Sequence, residues 1–390
     1  MEGHVHPAFA SVASRLEATI DGGVFSSGRG GAAVAVYHHG ELVVDAWGGV
    51  KDAAGTPWDR DTMAMSFSTT KGVVATVVHR LADRGELDYD EPVAVSWPEF
   101  GANGKADITI RDLLTHRAAM HDVRGLVDDP ETLLDWDEMV ARLAAAEPKW
   151  ERGVRPGYHG VTYGWLLGEV IRRRTGLTVD QAVQREIVEP LGLDGARIGL
   201  PLEERHRAAE LLMPPRAVDR LDRVARRLER FGRFRPFVDA LVVEGFLDLC
   251  LRERVLDAEI PAANGVFTAR SIARMYAAIA TPEAFEGPRL LSPEITAEAT
   301  RPQTKRRDVV IGVPMQWRLG YHMALSTAGV APPRGFGHFG FGGSGGWADP
   351  DSGLAVGFVV NAVAGTPFGD LRLLRLGGAA VRSARRRTVS

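Results

Sequence analysis

Cysteine is almost absent from this sequence of 390 residues, and so are long apolar runs. Cys250 is the single cysteine, so no disulfide can form within the chain, and its apolar surroundings, FLDLCL, predict a buried, unreactive thiol. No stretch reaches the roughly 20 apolar residues of a transmembrane helix, so stable membrane insertion is not expected. The N-terminus, MEGHVHPAFASVAS, lacks a basic segment followed by an apolar run, which predicts no signal peptide and a cytoplasmic location.

A large excess of charge of one sign is also absent. The chain has 47 Lys and Arg against 50 Asp and Glu, a net charge of −3, so bulk charge gives no indication of a nucleic-acid partner. The composition, with 45% hydrophobic residues, is typical of a globular protein. A chain of this length can bury a large core and is expected to form two domains, or three.

Lysine is scarce in a chain that uses arginine heavily. There are five lysines, at positions 51, 71, 105, 149 and 305. Lys71 is the only one with a serine three residues before it, Ser68. Within residues 66–87 apolar side chains recur at helical spacing, which predicts a helix with one buried face that ends near Gly85. The apolar positions are Val73, Val74, Val77, Val78 and Leu81.

The spacing of Ser68 and Lys71 places them one turn apart on one side of this helix, near its start. A serine hydroxyl is a weak nucleophile that needs a base within hydrogen-bond reach, and burial can lower the pKa of a lysine until its amine is neutral. S-x-x-K alone is a weak signal and is more typical of a helix-capping serine followed by a solvated lysine. In an arginine-rich chain, a lysine inside an apolar helix indicates a need for a titratable amine, which arginine cannot supply.

Tyrosines and histidines supply further candidates. Tyr158 lies in a glycine-rich loop, where it can act as a general acid or base or can simply pack; the local sequence does not separate the two. Tyr163 shares a helical face with apolar residues and is predicted to belong to the core. His116 and His121 have no third ligand at a metal-binding spacing, and neither has the pair His38–His39, so we interpret them as loop or packing residues.

Strand signals occur at both ends of the chain, with helical signals between them. Residues 28–49 predict two strands joined at His39–Gly40, and residues 335–363 predict two strands around a turn at 349–353. Helices are predicted over 7–20, 110–115, 132–150, 264–280 and 368–385.

Residues 202–258 are predicted to be helical and are rich in arginine. Their apolar stripe and basic residues fit a membrane-surface helix, but interleaved acidic residues such as Asp219 and Glu229 favour a solvent-exposed face. We therefore interpret residues 202–258 as a cover over the site, and we call this segment the cover below.

Gly342–Gly346 matches G-x-S-x-G, the nucleophile elbow of α/β-hydrolases, with Ser344 at its centre. That elbow requires a strand before it, a helix after it and a histidine later in the chain. Here a turn and a strand follow, and the last histidine, His338, precedes Ser344. Ser344 is therefore not predicted to be a nucleophile, and the glycines indicate a close approach of the backbone.

Three short motifs occur in the same order as in a known superfamily. STTK at 68–71 resembles the first motif of the serine β-lactamases and penicillin-binding proteins. YHG at 158–160 resembles their second motif, Tyr-x-Asn in class C β-lactamases, and HFG at 338–340 resembles their third, Lys-Thr-Gly. Within the superfamily the chain is most similar to family VIII carboxylesterases. The resemblance extends over about residues 10–385 and is weakest in the cover.

The chain departs from the superfamily pattern at three places. Gly160 stands where β-lactamases have Asn, and His338 stands where they have the Lys that binds a substrate carboxylate. Both changes disfavour β-lactam hydrolysis and fit an esterase. Arg152–Gly153 stands where related proteins often have Pro-Gly, which is expected to affect only a turn.

The resemblance implies a β-lactamase-like fold of the α/β (α+β) class, with an antiparallel sheet flanked by helices and a mostly helical domain. Residues 1–75 and 260–390 would form the sheet domain, and residues 76–259 the helical domain with the cover. The site would lie at the junction of the two. In it, Ser68 would attack an ester carbonyl to form an acyl-enzyme that water cleaves. Lys71 and Tyr158 would share the proton transfers, and which of them is the base in each step is left open.

For substrate binding, the resemblance implies that backbone N–H groups of Ser68 and Phe341 hold the oxyanion. His338 and Gly340 would line the substrate pocket, and no metal or cofactor would be needed. The expected partner is a small-molecule ester; its acyl length and the presence of a homo-oligomer are left open.

Two other functions are weighed against the esterase. The first is a β-lactamase or D-Ala-D-Ala peptidase, disfavoured because the usual substrates of both lie outside the cytoplasm. The second is a catalytically silent binding protein of the same fold, disfavoured by the intact Ser68, Lys71 and Tyr158.

Overall fold

The computed structural model describes residues 1–21, 30–214, 217–324, 334–363 and 370–387, apart from the side chains of residues 217 and 220–222. Residues 28–29 of the first predicted strand and residues 368–369 of the last predicted helix lie outside the described residues.

Ten strands occur in the described part of the chain. They are β1 (Glu2–Val5), β2 (Gly31–His38), β3 (Glu41–Gly49), β4 (Ala64–Met65), β5 (Ala196–Ile198), β6 (Gly265–Phe267), β7 (His322–Met323), β8 (Phe336–Phe339), β9 (Gly345–Asp349) and β10 (Leu354–Val360).

Thirteen α-helices occur in the same ranges. They are α1 (Ala10–Ile20), α2 (Thr69–Asp83), α3 (Ile110–Leu114), α4 (Trp136–Ala145), α5 (Tyr163–Thr175), α6 (Val179–Val183), α7 (Glu189–Leu191), α8 (Ala217–Glu229), α9 (Arg235–Leu241), α10 (Phe246–Cys250), α11 (Ala269–Ala280), α12 (Pro293–Thr300) and α13 (Arg372–Arg387). None of them is long and apolar enough to cross a bilayer.

The main sheet has seven antiparallel strands in the order β1-β3-β2-β10-β9-β8-β7. Strands from the two ends of the chain meet where β2 pairs with β10, with Val36 opposite Val356. His39 and Gly40, with φ values of 49° and 79°, form the turn of the β2–β3 hairpin, as primed hairpin turns require. The sheet confirms the predicted strand signals at both ends of the chain.

Helices cover both faces of this sheet. Helices α1 and α13 pack together on one face, and α11 packs on the other, against β2, β9 and β10. Strands β2 and β10 are buried along their whole length. An antiparallel sheet flanked by helices, with further helices beside it, is the fold class that the family resemblance implies.

Helix α2 is buried from Thr69 to His79 and packs against α5 and β8. The apolar pattern of this segment predicted the helix. The helix begins where the S-x-x-K motif predicted, with Ser68 at the N-cap. The predicted stop is also close: the helix ends at Asp83, and Gly85 follows with a φ of 71°, a left-handed conformation that glycine adopts at helix ends.

Three of the predicted elements are wrong in detail. The helix predicted over 132–150 is α4, which begins at Trp136 and ends at Ala145. The helix predicted over 264–280 begins only at Ala269, where the Thr268 side chain accepts the Ser271 N–H as an N-cap. The preceding Gly265–Phe267 is β6, the middle strand of a small sheet with the order β4-β6-β5. The segment 335–363 contains three strands rather than two, because β8 precedes the predicted β9–β10 hairpin. Short strands such as β6 and β8 carry too few residues to show an alternating pattern.

The cover is helical, as predicted, and consists of short helices and turns. It includes α8, α9 and α10, with 3₁₀ turns at Leu202–Arg207, Gly232–Phe234 and Glu253–Asp257. Helix α8 directs Val224 and Leu228 towards the start of α2, while Arg223 and Arg226 face solvent.

Candidate active site

The turn that leads into α2 has an unusual backbone. Phe67 has a φ of 45°, in the left-handed region that costs a non-glycine residue of order 1–3 kcal/mol. The Ser66 N–H donates to the Gly265 carbonyl at 2.8 Å, and the Thr70 hydroxyl donates to the Phe67 carbonyl at 2.5 Å. The turn therefore holds Ser68 at the N-terminus of α2, where the helix dipole favours developing negative charge.

Lys71 extends its amine from the first turn of α2 towards Ser68. Its Nζ lies 3.0 Å from the Ser68 Oγ, 2.7 Å from the Gly160 carbonyl oxygen and 2.9 Å from the Ala262 carbonyl oxygen. The side chain is 0% exposed. Burial disfavours the charged amine and holds the pKa of Lys71 well below its usual range.

The three neighbours of the Lys71 amine match the bonding capacity of its neutral form. A neutral amine has two N–H donors and one lone pair. The two donors serve the Gly160 and Ala262 carbonyls, whose oxygens can only accept. The lone pair is then left for the Ser68 hydroxyl, so the geometry suits removal of its proton.

Tyr158 contacts Ser68 from the other side. The Tyr158 hydroxyl lies 2.8 Å from the Ser68 Oγ. Its ring stacks on Trp317, with centroids 5.5 Å apart and planes 7° from parallel. Burial raises the pKa of the Tyr158 phenol above its usual value, which keeps the hydroxyl protonated and able to donate to the serine oxygen.

Asp308 positions Tyr158 and was not predicted from the sequence. Its carboxylate accepts hydrogen bonds from the backbone N–H groups of Tyr158, Val310 and Ile311 at 2.8–3.2 Å, and from the Trp317 indole at 2.9 Å. The side chain is 0% exposed. Asp308 therefore fixes both the Tyr158 backbone and the ring on which Tyr158 stacks. An isolated Asp between basic and apolar residues gives no sequence signal of this role.

The third motif lies against the turn before α2. A Cβ added to Gly340 would overlap the Ser66 carbonyl oxygen and lie 3.0 Å from the Thr69 hydroxyl, so only glycine fits there. The next residue, Phe341, packs its ring edge-on against Phe67 at 5.3 Å.

The backbone N–H groups of Ser68 and Phe341 have no hydrogen-bond partner in the described part of the chain. Both residues line the cavities beside the Ser68 hydroxyl. Two free donors next to a nucleophile are the feature of an oxyanion hole.

His338 is buried and neutral in the same region. Its Nδ1 donates to the Phe339 carbonyl at 3.1 Å, which leaves the Nε2 lone pair without a partner among the described residues. Burial, together with nearby His322 and Lys71, holds the pKa of His338 well below its usual range. His338 therefore supplies no positive charge to a substrate carboxylate.

Gly160 is fixed by the cover. A Cβ at this position would lie 2.5 Å from the Ala240 carbonyl oxygen and would overlap the Leu241 side chain. Helix α9 of the cover thus occupies the space that an Asn side chain would need, and Gly160 contributes its carbonyl to Lys71 instead.

Ser344 and Tyr163 are both buried, and the Tyr163 ring centroid lies 5.9 Å from the Lys71 amine. The Ser344 hydroxyl is buried between β9 and β10 and accepts the Val360 N–H at 3.1 Å. Tyr163 is 1% exposed within the core, where its ring packs near His116. The core position of Tyr163 is the one that the sequence predicted, and that Ser344 is not the nucleophile stays a prediction.

The predicted packing role of His116 is also what the structure shows. Its ring contacts Trp317 and Tyr158, with centroid distances of 4.2 and 4.9 Å. His121 packs on Trp150 at 4.7 Å. Nowhere in the described ranges do three His, Cys, Asp or Glu side chains lie together as ligands for a metal ion.

Two cavities meet at Ser68. The apolar cavity, of about 150 Å³, is lined mainly by hydrophobic side chains, including Val224 and Leu228 of α8. The larger cavity, of about 1140 Å³, is lined by Tyr158 and His338 among others. An ester carbonyl placed at Ser68 would therefore have a cavity on either side.

Known proteins are similar to this chain in sequence and in fold. A family model described as Beta-lactamase matches residues 16–380. The sequence is 43% identical over 372 residues to the Esterase/beta-lactamase LipL of Mycobacterium tuberculosis (strain H37Rv), covering 92% of this chain and 82% of that relative.

Two solved structures are similar to the whole chain. The crystal structure of a family VIII carboxylesterase has a TM-score of 0.85 and 37% identity, covering 98% of this chain and 99% of its own. A penicillin-binding protein homologue from Caulobacter crescentus has a TM-score of 0.83 and 35% identity, with the same coverage. Because the family match extends over residues 16–380 and the fold agrees, the chain belongs to the β-lactamase family and has the β-lactamase-like fold.

Proposed function

We propose that this protein is a serine carboxylesterase that cleaves small carboxylic esters through an acyl-enzyme on Ser68. The observation that carries the proposal is the position of the Ser68 hydroxyl between the buried Lys71 amine, at 3.0 Å, and the Tyr158 hydroxyl, at 2.8 Å. The names of two similar proteins, an esterase/β-lactamase and a family VIII carboxylesterase, support the same reaction class.

In the first step, Lys71 accepts the Ser68 proton while the serine oxygen attacks the ester carbonyl carbon. The carbonyl π electrons move onto its oxygen, and the N–H groups of Ser68 and Phe341 stabilise the resulting oxyanion. The helix dipole of α2 acts on the same charge. Lys71 is the base in this step because its buried amine has a lone pair facing the serine.

Collapse of the tetrahedral intermediate breaks the bond to the alcohol oxygen. Tyr158 donates its proton to that oxygen and takes a proton back from the Lys71 ammonium, so both groups become neutral again. The raised pKa of Tyr158 makes it a proton donor rather than a standing phenolate. Water then attacks the acyl carbon with the same groups in the same roles, and Ser68 is regenerated as the carboxylic acid leaves.

A fluorophosphonate probe tests the nucleophile. We expect labelling of the wild type at Ser68, shown by peptide mass, and loss of both labelling and ester hydrolysis in Ser68→Ala. The matched control is Ser344→Ala, which removes the buried hydroxyl that bonds Val360 and should keep most of the activity of folded protein. Activity in Ser68→Ala, or equal loss in a correctly folded Ser344→Ala, would overturn the assignment.

Hydrolysis of β-lactams or of D-Ala-D-Ala peptides is the second candidate. The name of the relative from M. tuberculosis joins esterase and β-lactamase, and a β-lactam would acylate the same serine. Against it stand the neutral His338 and the lack of space for a side chain at Gly160. A catalytically silent binding protein is less consistent with a serine in contact with both Lys71 and Tyr158.

We also propose a division into two domains. Residues 1–75 and 260–390 form the sheet domain, and residues 76–259 form the helical domain. The support for this division is the main sheet, whose strands come from residues 2–49 and 322–360. The cytoplasmic location stays a prediction.

A further inference from the structure

The orientation of an ester in the two cavities follows from the position of Tyr158. Ser68 and Phe341 line both cavities, whereas Tyr158 lines only the larger one. A general acid must lie beside the oxygen that it protonates. If Tyr158 protonates the leaving alcohol, the alcohol half of the ester lies in the larger cavity and the acyl half in the apolar cavity.

Three arginines line the larger cavity. Arg155 precedes the second motif, Arg233 lies in the cover and Arg307 precedes Asp308, so three separate segments bring them to one place. The side chain of none of them forms an ion pair or a hydrogen bond with any residue that the structure describes. The guanidinium of Arg155 stacks on Trp150 at 4.7 Å, which leaves its N–H donors free at the edges.

The carboxylates of this cavity do not neutralise the three arginines. Asp308 is buried and accepts the four hydrogen bonds described above. Asp370 is bound by Arg372, with Nε–O distances of 2.8 and 2.9 Å. The cavity therefore presents unpaired positive charge, and a concave site with charge of one sign concentrates ligands of the opposite sign.

We propose that the alcohol half of the natural ester carries an anionic group, a carboxylate or a phosphate, which Arg155, Arg233 and Arg307 bind. The substrate class is then an ester between a short apolar acid and an anionic alcohol. This inference rests on the proposed ester hydrolysis at Ser68. Water cleaves the acyl–oxygen bond, so the products are the apolar carboxylic acid and the anionic alcohol.

The depth of the cavity sets where the anion must be attached. Arg155, Arg233 and Arg307 are solvent-exposed, whereas Tyr158 and His338 are buried. The arginines thus lie at the outer part of the larger cavity. An anionic group must be separated from the leaving oxygen by several bonds, unlike the carboxylate of a β-lactam, which lies close to the scissile bond and would meet His338.

The test compares two aryl butanoates that differ only at the para position, 4-(butanoyloxy)benzoate and 4-(butanoyloxy)benzamide. We expect the wild type to prefer the carboxylate in kcat/KM by at least about 10-fold at low salt, mainly through KM. The preference should fall in 0.5 M NaCl, because salt screens exposed charges. In the triple variant Arg155→Gln/Arg233→Gln/Arg307→Gln it should disappear. A third ester, with a phosphate in place of the carboxylate, shows by its kcat/KM which of the two anions is preferred.

The matched control is Arg223→Gln/Arg226→Gln/Arg227→Gln, which removes the same charge from the outer face of α8. It should keep both the preference and the basal activity. An equal preference for the two esters in the wild type, or the same loss of preference in both triple variants, would overturn the proposal. Such results would leave the proposed esterase standing, since that depends on Ser68→Ala and the neutral ester. Thermal unfolding of each variant verifies that it is folded.

Discussion

At the scale of single residues, the chemistry depends on a lysine amine held without charge. We expect Lys71→Arg to lose nearly as much kcat as Lys71→Ala on p-nitrophenyl butyrate. Arginine keeps a positive charge but stays protonated, so it cannot accept the serine proton. Wild-type rates in Lys71→Arg would show that charge alone suffices and that Lys71 is not the base.

The pH profile provides an independent check on Lys71. Because its pKa is lowered in the folded protein, kcat/KM should rise with pH through that lowered value and reach its plateau well below pH 10. The raised pKa of Tyr158 predicts no decline on the alkaline side up to about pH 9. An activity that falls as pH rises towards 9 would contradict both assignments.

Tyr158 can be tested against a second buried tyrosine nearby. Tyr158→Phe should lower kcat by about 10²–10⁴-fold, the usual range for a lost general acid or base, because it removes only the hydroxyl beside Ser68. Tyr163→Phe is the matched control and should lower kcat much less, since the Tyr163 hydroxyl has no hydrogen-bond partner among the described residues. Similar kcat losses in the two variants would assign Tyr158 a packing role only.

Gly160 and His338 together predict the choice between esters and β-lactams. We expect kcat/KM for p-nitrophenyl butyrate to exceed that for nitrocefin by a large factor on one preparation. A β-lactam would lose a cation for its carboxylate and an amide partner for its side chain. Missing hydrogen bonds cost about 0.5–1.5 kcal/mol each, and more when a charge is involved. Equal turnover of nitrocefin would favour the β-lactamase alternative.

The residues that the sequence revealed are those whose partners lie nearby in the chain. Ser68 and Lys71 are one helical turn apart, so their spacing, together with the scarcity of lysine in an arginine-rich chain, predicted the contact of 3.0 Å between them. The local sequence around Tyr158 does not reveal its role, because its contact with Ser68 spans 90 residues, and the family resemblance indicates it instead. The Ala262 carbonyl could not be predicted, since a backbone acceptor carries no side-chain signal.

At the scale of elements, the predictions succeeded where a pattern was long and failed where it was short. Helix α2 and strands β2, β3 and β10 are each seven or more residues long. Strands β6 and β8 have three and four residues, and tertiary pairing rather than local propensity makes them strands. The cover was predicted as helical, but its contact with Gly160 depends on long-range packing.

Helix α8 sets the size of the apolar cavity and thereby the acyl length. An apolar cavity of about 150 Å³ holds a ligand of roughly six carbons, so we expect kcat/KM to rise from acetyl to hexanoyl esters and then to fall. Ala225→Phe places a larger side chain in the cavity from α8. It should lower kcat/KM for the hexanoyl ester by about 10–200-fold and kcat/KM for the acetyl ester far less. The outward-facing Arg226→Gln is the control. A hexanoyl preference that survives Ala225→Phe would place the acyl chain elsewhere.

At the scale of the whole molecule, buried neutral histidines make the free energy of unfolding depend on pH. Burial lowers the pKa of His79, His121 and His322 to about 4, below the unfolded value of about 6.5. Between these values the unfolded chain binds more protons than the folded one, so stability rises with pH there and is lost as pH falls from 6.5 to 4. Each such histidine contributes about 1.4 kcal/mol per pH unit within that window.

Thermal unfolding from pH 8 to pH 5 measures this dependence. As pH is lowered, the Tm should fall more steeply below pH 6.5 than above it. Above pH 6.5 the lowered pKa of Lys71 also makes the Tm fall with decreasing pH, but with a shallower slope. His79→Gln should reduce the slope below pH 6.5, and a variant of the exposed His206, His206→Gln, should not. A Tm that is constant between pH 6.5 and 5 would contradict the neutral state of these histidines.

The pairing of β2 with β10 decides when this protein can fold. During synthesis, Val36 leaves the ribosome long before its partner Val356, so the central strand waits with one edge unpaired while most of the chain is made. Unpaired apolar strands promote association between chains, and contacts so distant in sequence form slowly. A nascent chain therefore exposes an unpaired edge of β2 until β10 emerges, and a chain that stops before residue 354 has no partner for the middle of its sheet.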